Sequence, residues 1–225
     1  MIQELDTRYG RMFVPDTDIG QFWWLSNTGA GPEDYFVETV CEILDDLPKG
    51  TAIDLGANFG CWSLPLSKHA VRVLSFEPQR CVHDLLKRSI EKNGIENIVL
   101  HSQAVGEYPG FVAVTDMDID RDTNFGGIAL GHVHSEQPSA KMYDVRMIRL
   151  DDLGLAEPIS FIKMDIEGGE VAALRGARAL IMKNRPVLFV ELENPLTDGD
   201  LLKKTILDLD YGIERFGDNV LGMPL

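Results

Sequence analysis

Thr51-Ala52-Ile53-Asp54-Leu55-Gly56-Ala57-Asn58-Phe59-Gly60 is the stretch on which the fold turns. Its first five residues make a short run, apolar in character around Asp54, of the kind found in strands buried on both faces. Gly56 and Gly60 then let the backbone turn tightly and approach a ligand closely. A helix is expected over residues 61–69, with its free N–H groups aimed back at that turn. The same alternation continues outward. Further apolar runs lie at 71–76, 97–101, 159–164 and 187–191. Between them, residues 80–93 carry Val82, Leu85, Leu86 and Ile90 at helical spacing, and Val171, Leu174, Ala177, Leu180 and Ile181 mark another helix. A last helix is expected over 200–209, and residues 212–225 suit one or two closing strands. Buried strands separated by amphipathic helices predict an α/β fold, a mostly parallel, Rossmann-like sheet flanked by helices. Such sheets bind ligands beyond the carboxyl ends of their strands.

Two segments break this rhythm. Residues 1–50 read as an N-terminal extension, with a strand over 11–15, a loop at 29–32 and a helix over 33–46. Phe22-Trp23-Trp24 is expected to pack the extension against the core. Residues 106–150 read as a β-hairpin and loop insertion into the domain formed by 51–225. Its strands are expected at 111–114 and 145–148, antiparallel, around a polar loop over 116–144. A loop of that length inside a compact domain is usually functional, and here it suits a lid over a substrate.

Composition narrows the classes. The 225 residues hold 36 acidic and 21 basic side chains, a formal net charge of −15, which argues against a nucleic-acid or anionic-membrane partner. The length suits one domain of ordinary globular make-up. No apolar run reaches the ~18 residues of a membrane span. The opening Met1-Ile-Gln-Glu-Leu-Asp-Thr-Arg-Tyr-Gly10 is polar and acidic, unlike a signal or transit peptide. Cys41, Cys61 and Cys81 are odd in number and far apart, so they read as reduced thiols of a cytoplasmic protein.

Candidate site residues fall at the expected strand tips. The second strand ends in Glu77-Pro78, where a carboxylate can accept both hydroxyl hydrogens of a ribose. Glycine turn, helix and acid at the next tip together specify a nucleoside-containing cofactor. A dinucleotide fingerprint wants G-x-G-x-x-G, but the spacing here is G-x-x-x-G. Asp54, just before the turn, would repel a pyrophosphate and suits the cationic amino-acid end of S-adenosylmethionine. Phe161-Ile-Lys163-Met-Asp165-Ile-Glu167-Gly-Gly-Glu170 follows the fourth run, and Glu191 and Glu193 end the fifth. Residues two apart on a strand end point to one side, so these acids converge on the crevice. Crowded carboxylates raise one another's pKa or recruit a cation. Glu170 reads as a helix-cap acid and Glu193 as a surface group. His132 and His134 have no third ligand at a telling spacing, and no metal site is assigned. Cys61 would sit at a helix start, where a thiolate is favoured.

Asp54-Leu-Gly-Ala-Asn-Phe-Gly60 resembles the first motif of class I S-adenosylmethionine-dependent methyltransferases. Phe161-Ile-Lys-Met-Asp-Ile-Glu-Gly-Gly-Glu-Val171, with Leu174-Arg-Gly-Ala177, resembles the signature of the FkbM-type methyltransferases. The resemblance runs from about residue 50 to 193 and takes in Phe76-Glu-Pro78, Asn124-Phe-Gly-Gly127 and, beyond it, Asp218-Asn-Val-Leu221. It implies a class I methyltransferase fold with S-adenosylmethionine as cofactor. The methionyl end would lie on Asp54, Gly56, Ala57, Asn58, Phe59 and Gly60, the ribose on Glu77 beside Pro78, and the adenine between Ala104 and Val105. It also implies methylation of a hydroxyl on a small molecule or sugar. Asp165 or Glu167 would orient or deprotonate that hydroxyl, with Glu191 an alternative base and Asn124 on the acceptor side. Two other classes stay open: a nicotinamide-dependent oxidoreductase on a similar sheet, and a non-catalytic nucleoside- or partner-binding descendant. A homodimer is one assembly open to such a chain.

Overall fold

The computed structural model describes residues 1–132 and 134–225. Its elements run β1 (Ile2–Thr7), β2 (Gly10–Pro15), α1 (Phe22–Thr28), α2 (Asp34–Asp45), β3 (Thr51–Leu55), α3 (Ser63–His69), β4 (Arg72–Phe76) and α4 (Arg80–Lys92). Then follow β5 (Ile98–His101), β6 (Ala104–Val105), β7 (Gly110–Thr115), β8 (Met142–Ile148) and β9 (Ile159–Met164). The chain closes with α5 (Glu170–Gly176), α6 (Arg178–Asn184), β10 (Val187–Glu191), α7 (Gly199–Leu207), β11 (Tyr211–Phe216) and β12 (Asn219–Pro224).

The expected buried runs pair as one sheet, in the order β11-β12-β10-β9-β3-β4-β5. β5, β4, β3, β9 and β10 are parallel, β12 is antiparallel to β10, and β11 pairs antiparallel with β12 at the sheet's edge. Strand residues alternate between two cores. Ala52, Val73, Phe161 and Phe189 face α2, α3 and α4. Ile53, Leu74, Ile162 and Leu188 face α5, α6 and α7. Both faces are covered, which is why these strands read as continuous apolar runs rather than alternating ones. Strand order reverses between β3 and β9, so the carboxyl ends of these two strands flank the crevice such sheets use for ligands.

The hairpin β7–β8, antiparallel as expected, forms a separate three-stranded sheet with β6, which precedes residue 106 and pairs parallel with β8. Thr115 pairs with Met142, so the loop closes at residue 141 rather than running to 144.

Three details depart from the sequence reading. The extension holds a second strand, β1, in a hairpin with β2. The hairpin rests on α4, where Phe13 N–H donates to Ser89 Oγ at 3.0 Å and Arg11 N–H to Asn93 Oδ1 at 2.9 Å. The helix expected through Ile181 is two helices, α5 and α6, meeting at Ala177. Trp23 and Trp24 do not pack inward, for they are 57% and 43% exposed. Leu25 is buried and Phe22 is packed against the core, so the helical turn sends the two residues between them to solvent. Among the described residues no helix is long and apolar enough to cross a membrane.

Candidate active site

The turn after β3 is built around a close approach. Gly56 has φ +77°, and a Cβ there would stand 1.9 Å from the Asp165 carbonyl oxygen, so only glycine lets the turn lie against the end of β9. Gly56 and Ala57 N–H both donate to the Phe76 carbonyl at 3.0 Å, tying the turn to the tip of β4. Asn58, at φ +47°, donates its N–H to Glu77 Oε2 at 2.9 Å. Gln79 N–H donates to Glu77 Oε1 at 2.8 Å. Glu77 is thus fixed by its neighbours on both sides while only 2% exposed. Burial pushes its carboxyl up to about 7, against the opposing pull of those two N–H groups. Among the described residues, two buried side-chain acceptors beside it, Asn58 Oδ1 and Gln79 Oε1, have no partner.

Beneath the turn lies a buried charge pair. Asp54 and Lys163 are register neighbours across β3 and β9. Lys163 Nζ stands 3.5 Å from Asp54 Oδ1 and 3.3 Å from Asp165 Oδ2, and donates to the Gly56 carbonyl at 2.9 Å. Burial alone would lower the lysine pKa. Asp165, Asp54 and Glu33 outweigh it and hold the ammonium above its usual range. Asp54 Oδ2 also accepts the Ser63 hydroxyl.

The acids gather on the far side of the turn. One oxygen each from Asp165, Glu167 and Glu191 lie within 4.8 Å of one another. Asn194 Nδ2 donates to Glu167 Oε2 at 2.7 Å and to Glu191 Oε2 at 3.1 Å. Glu167 takes a left-handed φ of +54°, a cost usually met only where a site requires it. Burial, then the charge of Asp165, raise Glu167 to about 7 and Glu191 to about 8. Glu170 is fully buried and ties the loop together, accepting from Ile166 N–H, Gly168 N–H and the Thr197 hydroxyl. Glu193 is a surface acid paired with Arg215.

The extension and the lid complete the walls. Glu33 accepts from Trp62 Nε1 at 2.8 Å and Asn219 Nδ2 at 3.2 Å, and burial raises its pKa. Asp18, only 3% exposed, accepts Phe22 N–H and Phe125 N–H, so it caps α1 and holds the lid together. Cys61 lies inside rather than at a helix start, since α3 begins two residues later. Burial and the nearby Glu33 push its thiol up, the opposite of an activated thiolate.

Of the residues singled out from the sequence, Gly56, Ala57, Asn58, Glu77, Pro78, Ala104, Val105, Asn124, Asp165, Glu167 and Glu191 line one cavity. Asp54, Phe59 and Gly60 lie behind its wall. Asp54 is spoken for by Ser63 and Lys163, and it bears on the turn only through that lysine. Sequence reasoning gave no role to Lys163, Gln79, Glu33 or Asp18. For Lys163 a signal existed: a lone cation in a buried strand beside a strand bearing a lone acid.

The cavity at the strand-order reversal, with an acid at the tip of β4, is the setting in which the family comparison has meaning. The Methyltransferase FkbM domain matches residues 54–214. The chain belongs to this family. Membership bears out the fold and S-adenosylmethionine as cofactor, and it leaves the oxidoreductase alternative without support. No curated protein matches the chain. Among solved structures, methyltransferase FkbM from Methylobacillus flagellatus KT is 24% identical, with a TM-score of 0.54 over 78% of this chain and 43% of that one. The chain therefore spans less than half the length of that relative. The 16S rRNA N2 G1207 methyltransferase RsmC of T. thermophilus, solved with AdoMet and guanosine, is 13% identical. Its TM-score is 0.51 over the whole of this chain and 50% of its own. These likenesses show a shared fold. The FkbM match begins at residue 54, so the extension that supplies Asp18 and Glu33 lies outside it.

Proposed function

We propose that this chain transfers the methyl group of S-adenosylmethionine to a hydroxyl on a small molecule or sugar. One observation carries the reading: a single cavity joins the glycine turn and Glu77 to the carboxylates at the ends of β9 and β10. The residues present fit the cofactor. Asn58 Oδ1 is a buried acceptor without a partner among the described residues, which calls for a ligand donor. When bound, S-adenosylmethionine supplies a methyl group already activated by the positive charge on its sulfur.

The chain's own residues bind, orient and take a proton. Gly56, Ala57 and Asn58 shape the part of the cavity that takes the methionyl end, their turn held in place from below by Lys163. Each Glu77 oxygen accepts one backbone N–H and keeps a free lone pair for a ribose hydroxyl. Pro78, Ala104 and Val105 offer apolar walls for the adenine. Asn124 and its loop close the acceptor side and keep water out.

A hydroxyl is a poor nucleophile until it begins to lose its proton. Asp165 is engaged by Lys163, so it suits orientation. Glu167 and Glu191, raised to about 7 and about 8, suit proton acceptance near neutrality. The net charge of −15 favours an uncharged acceptor over a nucleic acid.

The test uses labelled S-adenosylmethionine and a panel of neutral polyols, monosaccharides and small alcohols. Label is expected on oxygen in at least one acceptor, with kcat/KM rising as pH climbs through about 7–8. Glu167→Gln and Glu191→Gln together should lower kcat by about 10²-fold or more while leaving affinity for the demethylated product within about threefold. Full activity in the double variant, or label on no hydroxyl of the panel, would contradict the reading.

A further inference from the structure

The geometry points to Gln79 as a positioning residue that reads the bound nucleoside with one end of its carboxamide and holds the lid with the other. The inference rests on the S-adenosylmethionine reading above and extends it to the coupling of cofactor and lid.

Gln79 is 7% exposed, and its backbone N–H is held by Glu77, so the side chain starts from a fixed point beside the ribose-binding acid. Nε2 donates to the Phe125 carbonyl at 2.8 Å. A carbonyl only accepts, so this contact fixes which way round the carboxamide lies. Oε1 is then left buried, without a partner among the described residues, on a residue that lines the cavity. A buried amide oxygen of this kind is stable only when something donates to it, and the adenosyl group carries such donors in its exocyclic amine and its ribose hydroxyls.

The other end of the contact is equally specific. Phe125 is fully buried in the lid and stands edge-on to Phe59 of the glycine turn, with ring centroids 6.2 Å apart. Its N–H goes to Asp18 of the extension at 3.2 Å and its carbonyl to Gln79. Both backbone groups of one lid residue are thus satisfied by side chains from other parts of the chain. Of those two side chains, Gln79 lines the cavity. A ligand donor on Oε1 polarises the carboxamide and strengthens the N–H bond it makes on its far side. Cofactor binding therefore tightens the lid before the acceptor arrives.

The experiment is a set of calorimetric titrations of the full chain and of Gln79→Met, which keeps the length and removes both polar ends. The ligands are S-adenosylhomocysteine, its counterpart with inosine in place of adenosine, and its 2′-deoxy counterpart. Gln79→Met is expected to bind S-adenosylhomocysteine about tenfold more weakly. Its discrimination against one of the two analogues should shrink by a similar factor, which identifies the donor as amine or hydroxyl. Hydrogen exchange of lid peptides adds a second readout: S-adenosylhomocysteine slows it in the natural chain and not in the variant.

Gln79→Glu, read at about pH 9 so that its carboxyl is ionised, keeps an acceptor oxygen and loses the donor, so it should keep the discrimination and lose the lid protection. It serves alone if the methionine variant does not fold. Unchanged discrimination in Gln79→Met, or lid protection intact in Gln79→Glu, overturns the proposal. Absence of heat from the natural chain with S-adenosylhomocysteine defeats the methyltransferase reading instead.

Discussion

Lys163 is 2% exposed and Asp54 not at all, yet each sits in a central strand of the sheet. Removing one partner leaves the other buried and uncompensated, which typically costs about 3–5 kcal/mol. Lys163→Met should therefore destabilise the chain by roughly that amount in denaturant unfolding. Adding Asp54→Asn to the same chain should recover a large part of the loss. Equal stability of Lys163→Met and the natural chain would show that the pair does not hold the turn. The site was legible at this scale wherever chemistry and position coincided. Gly56, Glu77, Asp165, Glu167 and Glu191 stand at strand tips, and the strand rhythm gave those tips directly. Asp18 and Glu33 carry no such signal. Asp18 also meets its own helix, but the contacts that tie the two to the rest of the site lie far along the chain at Phe125 and Asn219, and only the folded chain brings them together.

Among elements, the buried strands were the most legible, because a sheet covered on both faces imposes a continuous apolar run. β1 was invisible for the converse reason. Ile2–Thr7 is mostly polar, with Ile2 and Leu5 its apolar residues, and no residue in it is buried. α1 is seven residues long, and its first N–H groups are met by Asp18, three positions before the cap residue Gln21. The lid reads as polar sequence, but Met117, Phe125 and Ile128 are buried in the core, Phe125 completely. Phe125→Ala should remove about 3 kcal/mol or more of lid packing. Hydrogen exchange in lid peptides should then speed up by about 10²-fold, while β3 and β9 keep their protection. Unchanged exchange in the lid would show that Phe125 does not anchor it.

For the whole molecule, the arrangement concentrates poorly solvated acids in one place. Glu77, Glu167 and Glu191 hold their protons up to about 7, about 7 and about 8. An unfolded glutamate releases its proton near about 4.3. Their contribution to stability is fully present below that pH. It is lost as pH rises toward about 8, because the unfolded chain has already released protons that the folded chain still binds. Asp16 and Asp45 are shifted the other way and act only below that window. Denaturant unfolding of the ligand-free chain should show lower stability at pH 8 than at pH 5.5, and Glu191→Gln should flatten the slope. A stability that rises across this range would contradict the assignment of these groups as buried and mutually repelling.

The fold places a glycine turn, a buried acid at the tip of β4 and an acidic wall around one cavity, and the proposed function requires that cavity to grip an adenosyl group. Calorimetric titration of the purified chain with S-adenosylmethionine and with S-adenosylhomocysteine tests this most directly. Saturable one-to-one heat is expected for both ligands, and Glu77→Ala should weaken each by at least about tenfold. No heat from either ligand, or undiminished binding in Glu77→Ala, would contradict it.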